Sequence, residues 1–181
     1  MATRFRRSRG GVVVTFHPDE APILRSLLGQ LAELVDESGE PEETEDDPLA
    51  RALGIGTSTT APDDPALARL FPDAYTDDAE SAGEFRRYTE RGLREAKREA
   101  ARTALATLAD PGHRRTLSGH EAQAWLTTLT DLRLVLGTRL DVTEDWGEQY
   151  AALAEDDPRR PLFEAYDWLS FLQESLVHAL W

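Results

Sequence analysis

The chain contains no cysteine among its 181 residues. Disulfides, thiolate metal sites and thiol redox switching within it are therefore excluded. Long hydrophobic runs are also missing. No stretch reaches the ~20 apolar residues of a membrane span, and Val12–Val14, behind the basic start, is too short for a signal-peptide core. The four histidines, His17, His113, His120 and His178, lie far apart or seven residues apart and form no His-x-x-x-His pattern with carboxylates, so no metal is expected. No Gly-x-Ser-x-Gly nucleophile turn occurs. Gly54-Ile55-Gly56-Thr57-Ser58 lacks the lysine of a phosphate loop and has no strand leading into it. The carboxylate pairs Asp63-Asp64, Asp77-Asp78 and Asp156-Asp157 each stand at a helix start, where they complement the exposed amides without any catalysis. The expectation is a cytoplasmic protein that is not an enzyme and needs no cofactor.

What is present is a 40% hydrophobic chain, globular in composition and long enough for a core of its own. A single domain over residues 1–181 is expected, with a mobile acidic linker at about 39–48 and a loop at about 54–64. The net charge is −14, which opposes nucleic-acid binding at long range. The charge is uneven: Arg4, Arg6, Arg7 and Arg9 fall in the first ten residues, and Glu33 to Asp47 carries nine acids.

The pattern predicts a mainly α fold, a helical bundle around a central helix with a small N-terminal β-hairpin. Ala122, Trp125, Leu129, Leu132, Leu136 and Leu140 fall within about 80° on that central helix. Leu134 points the opposite way, so it is either a second buried contact or an interface residue. Ser118 with Glu121 forms a capping box at the start. Thr3–Arg7 and Val12–Phe16 read as the hairpin, turning at Ser8–Gly11, and Arg115–Leu117 as a third short strand. Further helices are predicted at His17–Asp36 with Asp19 as cap, Pro65–Leu70, Asp77–Leu108, Thr143–Leu153 with Thr143 as cap, and Arg160–Trp181 with Leu162 on its apolar face. Leu49–Leu53 reads as one or two helical turns.

The most informative surface feature is Arg87, Arg91, Arg94, Arg98 and Arg102, which lie within about 80° on one face of the longest helix. The stripe is either a docking surface for an acidic partner or phosphates, or a solvated face laced with pairs such as Glu84–Arg87, Glu90–Arg94 and Glu95–Arg98. Arg4, Arg6, Arg7 and Arg9 are likewise either a basic arm for nucleic acid or a charged guard on an edge strand.

Three blocks then carry a resemblance: Asp64 through Tyr75, Glu84 through Glu90, and Leu93 through Lys97. Together with Trp125-Leu126 and Leu129 through Leu140, they resemble an actinobacterial family, domain of unknown function 2017, across essentially the whole chain. The family includes an oxidative-stress regulator. The resemblance implies a cytoplasmic transcriptional regulator that works with an alternative sigma factor or RNA polymerase and senses redox state through cysteines. The sensing step cannot be carried over to a chain without cysteine, and the family supplies no catalytic residues. The reading is a regulatory protein-interaction module, with Arg87, Arg91, Arg94, Arg98, Arg102 and Leu134 as candidate contacts. The alternatives are direct DNA binding through the arginine surfaces, or small-ligand binding.

Overall fold

The computed structural model describes residues 3–37, 58–108 and 112–181. The expected acidic linker, the Leu49–Leu53 turns and the Gly54–Thr57 part of the loop lie outside the described residues. The protein is mainly α, with a three-stranded antiparallel sheet in the order β1-β2-β3. In chain order the elements are β1 (Phe5–Ser8), β2 (Gly11–Thr15), α1 (Ala21–Glu37), α2 (Pro65–Leu70), α3 (Ala79–Thr107), β3 (Arg114–Leu117), α4 (Gly119–Arg139), α5 (Trp146–Ala151) and α6 (Arg160–Leu180).

The hairpin register pairs Ser8 with Gly11, leaving Arg9-Gly10 as a two-residue turn. Gly11 has a φ of +128°, and a Cβ there would sit 2.4 Å from the Leu117 carbonyl oxygen. Only glycine fits both demands. β3 pairs with β2, with Leu117 opposite Val12 and Arg115 opposite Val14, so the expected third strand closes the sheet. β1 does not present a free edge throughout, because the Phe5 amide donates to Ser175 Oγ on α6 at 3.2 Å.

The inner sheet face and the helices share one core. Phe5, Val14, Phe16, Leu24, Leu28, Leu117, Trp125, Leu129, Leu169, Leu172 and Leu176 are fully buried. Trp125 is its centre. Its ring stacks on Phe16 with centroids 5.2 Å apart, lies 5.7 Å from Phe5, and donates from Nε1 to Thr107 Oγ1 at 2.8 Å. That bond satisfies the polar atom of an otherwise apolar anchor. α4 touches α1, α2, α3, α6, β2 and β3, and its Trp125 ring meets Phe5 of β1. Leu134, on the side away from the apolar stripe, is half-buried and packs against the same core.

Several helix ends follow the sequence. Asp64 Oδ1 accepts from the Ala66 amide at 2.7 Å, Asp78 caps α3 through Ser81, and the Ser118–Glu121 box is complete. Three expectations are corrected. α1 starts after Glu20, whose carboxylate instead accepts from the Thr3 amide; Asp19 caps nothing and faces His17 at 3.4 Å. α5 begins at Trp146 with no side-chain cap, because Thr143 offers its carbonyl rather than its hydroxyl to the Trp146 amide. On α6, Leu162 is exposed and Phe163 is buried: the helix meets the core one residue later than the leucine pattern suggests.

Candidate functional site

The five-arginine stripe divides when the helices pack. α3 buries a face containing Ala82, Arg86, Glu90, Ala101 and Ala104, and the stripe runs along the border of that face. Arg94 therefore turns inward. Its Nη2 lies 2.6 Å from Glu90 Oε1, its Nη1 donates to the Val35 carbonyl at 3.2 Å, and its guanidinium lies 4.3 Å from the Phe71 ring centroid. Val35 is in the last turn of α1, where carbonyls lack intrahelical donors. Arg98 reaches Asp36 in the same turn at 2.8 Å and also pairs with Glu95. These two arginines fasten the C-terminal end of α1 to α3. Arg87 is half-buried, while Arg91 and Arg102 are exposed. Of the expected pairs, Glu90–Arg94 and Glu95–Arg98 are present.

Arg86 falls outside the arginine stripe, yet it organises the site. It is 5% exposed. Its Nη2 donates to the Phe71 carbonyl at 2.9 Å and to Asp73 Oδ1 at 2.7 Å, and its Nη1 bonds Glu90 Oε2. Burial disfavours the guanidinium charge, but Asp73 and Glu90 outweigh it and hold Arg86 above its ordinary value. Glu90 thus bridges Arg86 and Arg94. One turn further along, Lys97, the only lysine in the chain, lies 2.6 Å from Asp131 of α4. Burial pushes the Asp131 carboxyl above the usual range, against the opposing pull of Lys97. A row of ion pairs therefore joins the segment after α2 to α3, α1 and α4.

Over this polar floor lies an apolar groove of about 440 Å³. Phe71, Pro72 and Ala74 form one wall; Ala82, Phe85, Thr89, Gly92, Leu93 and Ala96 of α3 form the other. Around it, Tyr75, Phe85, Tyr88 and Leu93 are large apolar side chains with 42–62% of their surface exposed. Tyr75 and Phe85 meet edge to face at 6.1 Å. The i, i+3 and i+4 spacing of Phe85, Tyr88, Gly92 and Ala96 on α3 is legible in the sequence, but the opposing wall is not.

The remaining candidates are dispersed. Arg4 and Arg6 are exposed beside and on β1, Arg7 Nη1 donates to the Trp181 carbonyl at 2.9 Å, and Arg9 lies in the turn. They belong to a sheet, not to an extended arm. The polar residues of α4 are held by intrachain partners: Arg133 by Ser170 and Gln173, and Arg139 by Asp64. Among the described residues, no three His, Asp or Glu side chains gather as a metal site, and no helix is long and apolar enough to cross a membrane.

The fold and this surface define a mainly α protein with a small antiparallel sheet, an ion-paired interior seam and an exposed apolar groove on its longest helix. The chain belongs to the family described as domain of unknown function DUF2017, whose model matches residues 2–180. It is 35% identical over 177 residues to the oxidative stress regulator AosR of Mycobacterium tuberculosis, covering 90% of this chain and 79% of that protein. It is 32% identical over 176 residues, with the same coverage, to the putative oxidative stress regulator AosR of Mycobacterium leprae. No solved structure matches.

Proposed function

We propose that this chain is a regulatory protein-interaction module of the oxidative-stress response, acting in the cytoplasm without catalysis of its own. Its relatives bear the name of oxidative stress regulators. The observation that carries the reading is the groove between Phe71–Ala74 and α3, flanked by Tyr75, Phe85, Tyr88 and Leu93. Contiguous exposed apolar surface of this kind marks interaction sites, and a groove along a helix suits an amphipathic partner helix. Arg94 and Arg98 act at one remove, by holding α1 on α3. The partner class is an alternative sigma factor or RNA polymerase. Without cysteine, the chain's own binding does not change on mild thiol oxidation, so any redox response of the complex lies with the partner.

The test is binding of the purified alternative sigma factor, and separately of RNA polymerase, to immobilised wild-type chain and to Phe85→Asp/Leu93→Asp. Both substituted positions are half-exposed, so the fold survives. A loss of at least about tenfold in affinity, with an unchanged thermal melt, supports the groove. Equal binding by the variant, or no binding of either partner to the wild type, overturns the reading.

A further inference from the structure

A second cavity, of about 720 Å³, lies at the sheet and shares no lining residue with the α3 groove. Arg4, Arg6, Arg7, Arg114, His17 and Phe171 are among its walls. The strand register explains the gathering. Thr15 pairs with Arg114 on one side, and continuing the Phe5–Val14 pairing by one residue places Arg4 on the other. Arg6 pairs with Val13 two residues along, hence on the same face of the sheet. Three arginines from two strands thus stand on one face.

Their neighbours do not neutralise them. Arg115, one residue from Arg114, has its own acid in Glu121 at 3.0 Å. Arg7 is committed to the Trp181 carbonyl. Glu20 accepts from the Thr3 amide, and Asp19 faces His17; Asp167 and Glu174 are exposed one turn either side of Phe171 on its helix. Arg4, Arg6 and Arg114 have no ion-pair partner among the described residues. In a chain of net charge −14, where acids are plentiful, Arg4 and Arg6 at β1 and Arg114 across β2 on β3 place three unpaired cations on one sheet face, where like charges repel. A bound anion removes that cost.

The geometry points to a nucleotide site: Arg4, Arg6 and Arg114 hold the phosphates, and Phe171 stacks on the base. Arginine is the side chain best shaped to bind phosphate. A multiply charged ligand matches three arginines better than a single carboxylate does. The volume falls within the range of small-molecule sites. Phe171 is 41% exposed, an exposed ring in a cleft that Val13, Phe16 and Pro18 also line, and aromatic rings of this kind are platforms for nucleobases. The Thr15 hydroxyl lies between the two basic strands and adds a hydrogen-bonding group.

Calorimetric titration at low ionic strength tests this with adenosine, inorganic pyrophosphate, ADP, ATP, GTP and single-stranded oligothymidylates of 4 and 12 nucleotides. The proteins are the wild type, Arg4→Ala/Arg6→Ala/Arg114→Ala and Phe171→Ala, each checked by its thermal melt. The wild type is expected to bind ADP, ATP or GTP at least about tenfold more tightly than pyrophosphate and to ignore adenosine. The triple variant should lose all phosphate ligands. Phe171→Ala should lose the advantage of nucleotides over pyrophosphate while keeping pyrophosphate binding. Absence of any phosphate binding, or binding unchanged in the triple variant, overturns the site. Affinity that rises with oligothymidylate length while free nucleotides stay weak overturns the nucleotide assignment in favour of a nucleic-acid strand.

Discussion

At the scale of single residues, the pair Lys97–Asp131 places a charge deep against α4. The two side chains are 13% and 3% exposed, 2.6 Å apart, and the second carboxylate oxygen of Asp131 has no hydrogen-bond partner. Removing one member leaves a buried charge, which costs about 3–5 kcal/mol. Lys97→Met should therefore destabilise the protein by about 3 kcal/mol at neutral pH. The sign of its pH dependence follows from Asp131. Burial raises this carboxyl in the folded state, and losing Lys97 raises it further. The folded form then favours protonated Asp131, a contribution present below the unfolded carboxyl range and lost as pH rises through the folded value. Urea unfolding of wild type and Lys97→Met should show a stability difference larger at pH 7 than at pH 4.5. A difference that grows on acidification would contradict the burial assigned to Asp131. Gly11→Ala is a second residue-scale case: the positive φ and the 2.4 Å approach to the Leu117 carbonyl should both be felt, as a fall in melting temperature.

At the scale of elements, the capping box of α4 and the open glycine of α3 give opposite expectations. Ser118→Ala removes the cap on Glu121 N and should cost about 1 kcal/mol. Glu121 is held below the usual carboxylate range, first by the Ser118 amide and then by Arg115 despite some burial. Its contribution is present above the unfolded carboxyl range and lost as pH falls. The destabilisation by Glu121→Gln should thus shrink on acidification in chemical-denaturation curves. Gly92 is helical and exposed, with nothing near its missing Cβ. Gly92→Ala should stabilise α3 by about 1 kcal/mol, read as a rise of about 2–4 °C in melting temperature.

Elements are also the scale at which the sequence is most legible. The period of Leu24, Leu28, Leu31 and Val35, the Ser118 cap and the glycine-bounded third strand are local signals, and the structure carries all of them. The groove and its floor are not local. Arg86 looks like one more surface arginine until Phe71 and Asp73, more than a turn of chain away across a helix start, close over it. Arg94 and Arg98 look like docking residues until α1 arrives beneath them, because a helical-wheel angle cannot say how wide a face its neighbours will cover. The same limit applies to Leu162 and Phe163, where adjacent residues exchange burial with a small rotation of α6.

At the scale of the whole molecule, a chain of net charge −14 still gathers arginines in two groups: along α3, where Arg86, Arg94 and Arg98 are committed to intrachain pairs, and on the sheet, where Arg4, Arg6 and Arg114 lack ion-pair partners among the described residues. The apolar groove on α3 lies apart from the sheet cleft, so partner docking and phosphate recognition can be changed independently. Without cysteines, this chain's own contribution to binding is expected to be insensitive to mild thiol oxidants, any redox response of the complex lying with the partner. Competition between the two surfaces would show as reciprocal changes in affinity.

The most direct measurement is the affinity of the alternative sigma factor for the wild type and for Phe85→Asp/Leu93→Asp, with RNA polymerase run alongside and the thermal melts recorded together. The expected result is saturable binding of at least one of the two by the wild type, lost by at least about tenfold in a variant that melts at the wild-type temperature. Binding indifferent to the two aspartates, or no binding of either partner by the wild type, would contradict the assignment of the α3 groove as the docking site.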